Sequence, residues 1–126
     1  MERIEPKYGA KNGGHYTPGV LSHGLLFVSG QLSLDPDTRR LPEGGVEAHM
    51  AQALANLDRV LKEAGCGRDS VVQCRVYVTD IAHWDAVNEV YAEFFGAHRP
   101  ARIVVPVPSL HFGCLVEIEA VAEVER

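Results

Sequence analysis

At 126 residues, with 46% hydrophobic and 23% charged residues, the chain has the size and composition of one soluble globular domain, with no room for a second independent core. Its 12 Lys and Arg against 17 Asp and Glu give a formal charge of -5, which repels a phosphate backbone and disfavours nucleic acid as a partner. No apolar stretch approaches the ~20 residues needed to cross a bilayer, and the charged start Met1-Glu2-Arg3-Ile4-Glu5-Pro6-Lys7 lacks the apolar core of a secretory signal, so the expected address is the cytoplasm.

In chain order, residues 25–29 read as a strand, followed by a turn at Asp35-Pro36-Asp37 and a loop at Leu41-Pro42-Glu43-Gly44-Gly45. From residue 46 to 64, Val46, Met50, Ala53, Leu54, Leu57, Leu61 and Ala64 recur at three- and four-residue steps, which predicts a helix with one buried face, stopped by Gly65-Cys66-Gly67. Residues 71–79 alternate Val72, Cys74, Val76 and Val78 against Gln73, Arg75, Tyr77 and Thr79, a strand pattern in which Cys74 is a small core residue. A second helix carries Trp84, Val87, Val90, Tyr91, Phe94 and Phe95, with Asp80 as a cap before it and Gly96 after it. Residues 101–105 and 115–124 complete the strands, with Pro106-Val107-Pro108 at a strand border. Residues 1–126 thus read as a single domain in which strands and helices interleave.

Two helices cover one face of such a sheet. Leu25 and Phe27 nevertheless oppose Leu26 and Val28, and Ile103 and Val105 oppose Val104, so several strands are apolar on both sides. Soluble monomers avoid exposing such a face, and self-association is expected.

Arg102 opens an otherwise apolar strand, where a charge requires a partner. That partner is either an internal carboxylate or the carboxylate of a substrate, which a planar guanidinium grips through two parallel hydrogen bonds. Glu117 and Glu119, two apart on a strand, share a face that is either simply solvated or lines a cleft where a glutamate orients water and shuttles protons. Ser29-Gly30-Gln31 ends a strand, and its glycine suits either a turn or close approach of a ligand. Asn88 and Tyr91 sit three apart on the second helix, where packing alone accounts for the tyrosine. Cys66, Cys74 and Cys114 are widely spaced, and His15, His23, His49, His83, His98 and His111 lack ligand-like spacing, so reduced thiols and no metal site are expected. Neither a phosphate-binding glycine loop nor a serine-hydrolase elbow is present in the sequence.

Arg99-Pro100-Ala101-Arg102-Ile103-Val104-Val105, Leu115-Val116-Glu117-Ile118-Glu119-Ala120, Val28-Ser29-Gly30-Gln31 and the run from Val87 to Phe95 together resemble the reactive intermediate deaminase family, also known as Rid, YjgF or L-PSP endoribonuclease. The resemblance covers residues 16–122, with the segments in the family's order. It implies a chorismate-mutase-like α+β fold, a mixed sheet with two helices packed on one face, assembled as a homotrimer with sites in the clefts between subunits. It further implies cofactor-independent hydrolysis of 2-imino or 2-enamino acids to 2-keto acids and ammonia.

By that resemblance Arg102 binds the substrate carboxylate and Glu117 positions water, while Tyr16, Ser29, Gly30, Asn88, Tyr91 and Val104 shape the substrate pocket. Glu119 is expected to be structural. Three positions depart from the family pattern: His15 replaces the proline before Tyr16, Val104 stands where deaminase members carry a cysteine, and His111 replaces a proline. Val104 points to an altered substrate preference. It keeps open a related enzyme acting on an aminoacrylate- or aminomuconate-like carboxylate, beside a non-catalytic ligand-binding or chaperone-like trimer. A ribonuclease is the least favoured reading because of the negative charge.

Overall fold

The stripe of apolar residues that begins at Val46 folds as α1, Val46–Glu63, and buries Met50, Ala53, Leu54, Leu57, Val60 and Leu61 almost completely. The computed structural model describes residues 1–125. Gly65, at φ 83, turns the chain out of the helix in the left-handed conformation that glycine adopts most cheaply. The second helix, α2, spans Trp84–Phe95 and ends at Gly96 with φ 63. Asp80 caps one turn earlier than expected: its side chain accepts the Ala82 N–H of a short 3-10 turn, Ile81–His83, that leads into α2.

Six strands form one sheet: β1 (Glu2–Ile4), β2 (Gly19–Ser22), β3 (Leu25–Leu32), β4 (Val71–Val78), β5 (Ala101–Pro106) and β6 (Val116–Glu123), in the order β1-β2-β3-β6-β4-β5. All neighbours are antiparallel except β4 and β5, whose parallel pairing requires the crossover that α2 supplies. The expected mixed sheet with both helices on one face is therefore present. Neither β1 nor β2 was anticipated, being too short to show a period. The signal for them lay in His23-Gly24, a two-residue hairpin turn with φ of 52 and 78 that pairs Ser22 with Leu25.

Leu26 and Val28 of β3, Cys74, Val76 and Val78 of β4, and Val116, Ile118, Ala120 and Ala122 of β6 all point at the helices and form the core. Replacing a fully buried leucine such as Leu57 by alanine would cost about 2–5 kcal/mol. On the other face no helix lies over the sheet, and Leu25, Phe27 and Ile103 are 36%, 48% and 50% exposed. The two-sided apolar pattern read from the sequence is thus realised with one side uncovered in the single chain.

Buried polar groups lock α1 to the end of β3. The Asn56 amide donates to the carbonyls of Leu32 and Leu34 at 2.9 and 2.8 Å, and His49 Nδ1 lies 2.7 Å from Ser33 Oγ and 3.2 Å from the Leu115 N–H. With Leu115 donating to it, Nδ1 is the unprotonated nitrogen, so the Ser33 hydroxyl also donates. Burial pushes the His49 pKa below its ordinary value of 6.5. On acidification below that value the unfolded chain takes up a proton that the folded one refuses, so folding is weakened as pH falls. Thermal melts between about pH 7.5 and about pH 5.5 should show a larger loss of Tm for the native chain than for His49→Gln, which cannot titrate. Equal pH slopes would mean that His49 is not held neutral.

Candidate active site

A bulge between Val28 and Gln31 interrupts the ladder of β3 with β6 and turns Ser29 and Gly30 outward on the uncovered face. The Ser29 N–H donates to Pro18 O at 2.9 Å and its hydroxyl to Thr17 O at 2.6 Å, which pins the loop carrying Tyr16 beside the bulge. The Tyr16 hydroxyl is in turn bonded by the Asn12 amide. Gly30 is required by space: a Cβ there would stand 2.7 Å from Glu117 Oε2. Tyr16, Ser29, Gly30 and Glu117 therefore line one cleft of about 800 Å³, together with Glu119, Arg39, His111 and Phe112.

The two glutamates differ in their surroundings. Glu119 accepts the Tyr77 hydroxyl at 2.5 Å and lies 3.9 Å from the Arg75 guanidinium, which commits it structurally. Glu117 makes no hydrogen bond or ion pair among the described residues. Partial burial raises its pKa above the ordinary 4.5, and the nearby charge of Glu119 adds to the effect. Such a carboxylate is better able both to take a proton and to give it back near neutral pH.

Arg102 lies on the opposite face of the sheet. Its strand partner in β4 is the fully buried Cys74, on the helix side, whereas Glu117 pairs with Tyr77 on the uncovered side. The Arg102 guanidinium donates to Asn88 Oδ1 at 2.9 Å and lies over the Tyr91 and Trp84 rings, 4.7 and 5.5 Å from their centroids. No ion pair engages it among the described residues, so the internal carboxylate partner considered from the sequence is not what holds it. One hydrogen bond and two aromatic faces support the charge and leave guanidinium donors free. Asn88, Tyr91 and Arg102 line a second cleft of about 480 Å³.

Beneath it, burial pushes the Cys74 thiol up to about 11, so this cysteine is protonated at neutral pH and no nucleophile. Burial raises the Tyr91 pKa too. Val104, on the same side of β5 as Arg102, packs partly buried against the core and lines neither cleft. Arg39, Asn12 and Phe112 were not singled out from the sequence. They reach the first cleft from loops, where no period marks a side chain's direction. Among the described residues no group of three or more His, Cys, Asp or Glu is placed to hold a metal ion.

A family model described as Endoribonuclease L-PSP matches residues 9–124. The human 2-iminobutanoate/2-iminopropanoate deaminase is 40% identical over 109 residues, which cover 86% of this chain and 80% of that protein. Among solved structures, YyfA of Yersinia pestis, described as a member of the conserved Rid protein family, has a TM-score of 0.90 at 37% identity over 98% of both chains. E. coli TdcF with bound serine has a TM-score of 0.89 at 31% identity, covering 99% of this chain and 100% of that one. Sequence and fold agree over nearly the whole length, and the chain belongs to the Rid/YjgF family, the family of the L-PSP model.

Proposed function

We propose that this protein hydrolyses reactive 2-imino and 2-enamino acids to 2-keto acids and ammonia, without a cofactor, in sites completed between the subunits of a homotrimer. The observation that carries this reading is a division of labour: a guanidinium without an ion-pair partner on one face of the sheet and an unpaired, partly desolvated carboxylate on the other. Within one chain they cannot touch the same small molecule. Between chains they can, if β5, the edge strand bearing Arg102, lies over the uncovered face of a neighbour. The exposed Leu25, Phe27 and Ile103 supply an apolar reason for that face to be covered, and a cyclic trimer closes without leaving one over. The 40% identity with the human deaminase supports the reaction, and the serine held by TdcF supports a small carboxylate ligand.

The chemistry follows from the groups present. Arg102 of the partner subunit holds the substrate carboxylate through a bidentate pair. Water adds to the imine carbon while Glu117 accepts its proton, and the same proton passes to nitrogen. The carbinolamine hydroxyl then passes its proton through Glu117 to the amino nitrogen as the C–N bond breaks, so that the carbonyl forms and the nitrogen leaves as ammonia. Ser29 and Gly30 keep the bulge open beside the reacting carbon, Tyr16 closes one wall, and Asn88 and Tyr91 hold the guanidinium flat. Val104, packed against the core beneath the strand that carries Arg102, would act on substrate range only through the placing of that arginine. The fold's other attributed activity, on RNA, is disfavoured by a charge of -5 and two carboxylates in the cleft.

Charge-assisted hydrogen bonds contribute about 1.5–3 kcal/mol each, so Arg102→Ala should lower kcat/KM for 2-iminopropanoate by roughly a hundredfold to ten-thousandfold. Arg102→Lys keeps the charge but not the fork and should stay clearly impaired. A folded Arg102→Ala with the native rate would reduce the arginine to a structural role. For Glu117, replacement by Gln should lower turnover roughly a hundredfold or more while leaving pyruvate binding comparatively intact, because an amide cannot accept the proton. The native enzyme should lose kcat/KM on its acid limb with an apparent pKa above 4.5, since Glu117 must be ionised to act as base. Equal rates for the two proteins would place water activation elsewhere.

A further inference from the structure

Resting on the deaminase reading and narrowing its substrate class, we infer that the Glu117 cleft selects 2-imino acids whose side chain ends in a second carboxylate, with Arg39 as the residue that recognises it. Arg39 is the one arginine or lysine among the described residues lining this cleft. Two carboxylates share the cleft with it, yet neither forms an ion pair with it, and its side chain makes no hydrogen bond among the described residues. Its guanidinium instead lies over the Phe112 ring, 4.8 Å from the centroid. A ring beneath the plane steadies the group without occupying its in-plane donors, which suits it to take a planar carboxylate.

The backbone supports this assignment. Arg39 has φ 64 and Phe112 φ 61, both in the left-handed region that residues with a Cβ adopt at a cost. These two strained residues come from separate loops and meet at the cleft. The turn around Arg39 is fixed independently of its side chain: its N–H donates to Asp35 O at 2.8 Å, the Asp35 N–H donates to Arg40 O at 3.0 Å, and Asp35 Oδ1 accepts the N–H groups of Asp37 and Thr38. Glycine would satisfy that turn with less strain. The arginine is therefore explained by where its side chain reaches, because strain of this kind persists where function requires it.

The chemistry selects the ligand. Glu117 and Glu119 on the sheet repel an anionic side chain, and Arg39 is the group placed to offset them. The α-carboxylate is engaged by Arg102 of the partner subunit, so a substrate with a second carboxylate, such as the imine of glutamate or aspartate, is gripped at both ends with the imine carbon between. 2-Imino acids with an uncharged side chain use one grip only.

The test measures kcat/KM for freshly generated 2-iminoglutarate and 2-iminopropanoate in the native protein, Arg39→Gly and Arg39→Gln, with calorimetric binding of 2-oxoglutarate and 2-oxobutanoate alongside. The ratio of the dicarboxylic to the monocarboxylic substrate should fall at least about tenfold in both variants, and 2-oxoglutarate should lose its binding advantage. Arg39→Gly should melt at the same temperature as the native protein or higher, because the turn is relieved. An unchanged ratio, or a lowered Tm with the preference intact, would make Arg39 a structural partner of Phe112 and overturn the assignment. If neither imine is hydrolysed, the deaminase reading fails by itself. Calorimetry then decides this one: a preference for 2-oxoglutarate that Arg39→Gly abolishes upholds it, and equal binding of the two keto acids overturns it.

Discussion

Alternation along β6 is the constraint on which the rest depends. Val116, Ile118, Ala120 and Ala122 must point at the helices to build the core, so Glu117 and Glu119, interleaved with them, must point away. The same parity places Arg102, paired with buried Cys74, under α2. No side-chain rotamer can bring these groups together through a sheet. The pleat therefore sets Arg102 and Glu117 on opposite faces, and it is this separation that the proposed intersubunit site answers.

The environment of each charge then decides what it can do. Glu119 is held by Tyr77 and Arg75, and the hydrogen bond from the phenol in turn raises the Tyr77 pKa. Glu117 has no such partners and is left with the desolvation of its partly buried site, so its proton affinity rises. Gly30 keeps that carboxylate accessible, since any side chain there would press on it. Arg102 is treated in the opposite way, with aromatic faces and one amide that support the charge without neutralising it. In both cases a charged group that is neither fully buried nor fully exposed is left short of partners, a combination that marks a functional-site candidate.

Much of this was legible before the structure. The spacing of Val46, Met50, Leu54, Leu57 and Leu61 dictated α1, and the alternation in residues 71–79 and 115–124 dictated the two strands that pair at the centre of the sheet. The family motifs named Arg102 and Glu117 but could not say that they lie on opposite faces, because that depends on which strand neighbours which and in what register. β1 and β2 escaped because three or four residues cannot show a period. Asn12, Arg39 and Phe112 escaped for a different reason: loop side chains are directed by turns and positive φ angles, and neither Arg39 nor Phe112 carries the glycine that usually marks such a position. The Asp80 cap was placed correctly as a cap but assigned to α2, one 3-10 turn too late.

The claim at the centre of this account is that a working site takes its arginine from one chain and its glutamate from another, and subunit complementation addresses it directly. Arg102→Ala and Glu117→Gln chains, each inactive in their own trimers, are co-expressed and purified as mixed trimers. Every mixed ring then contains one site of three in which both residues are native, so the purified mixed trimers should regain about a third of the native rate on 2-iminopropanoate. Activity no higher than that of the separate variants would show that the two residues do not meet across a subunit boundary, and would contradict the account.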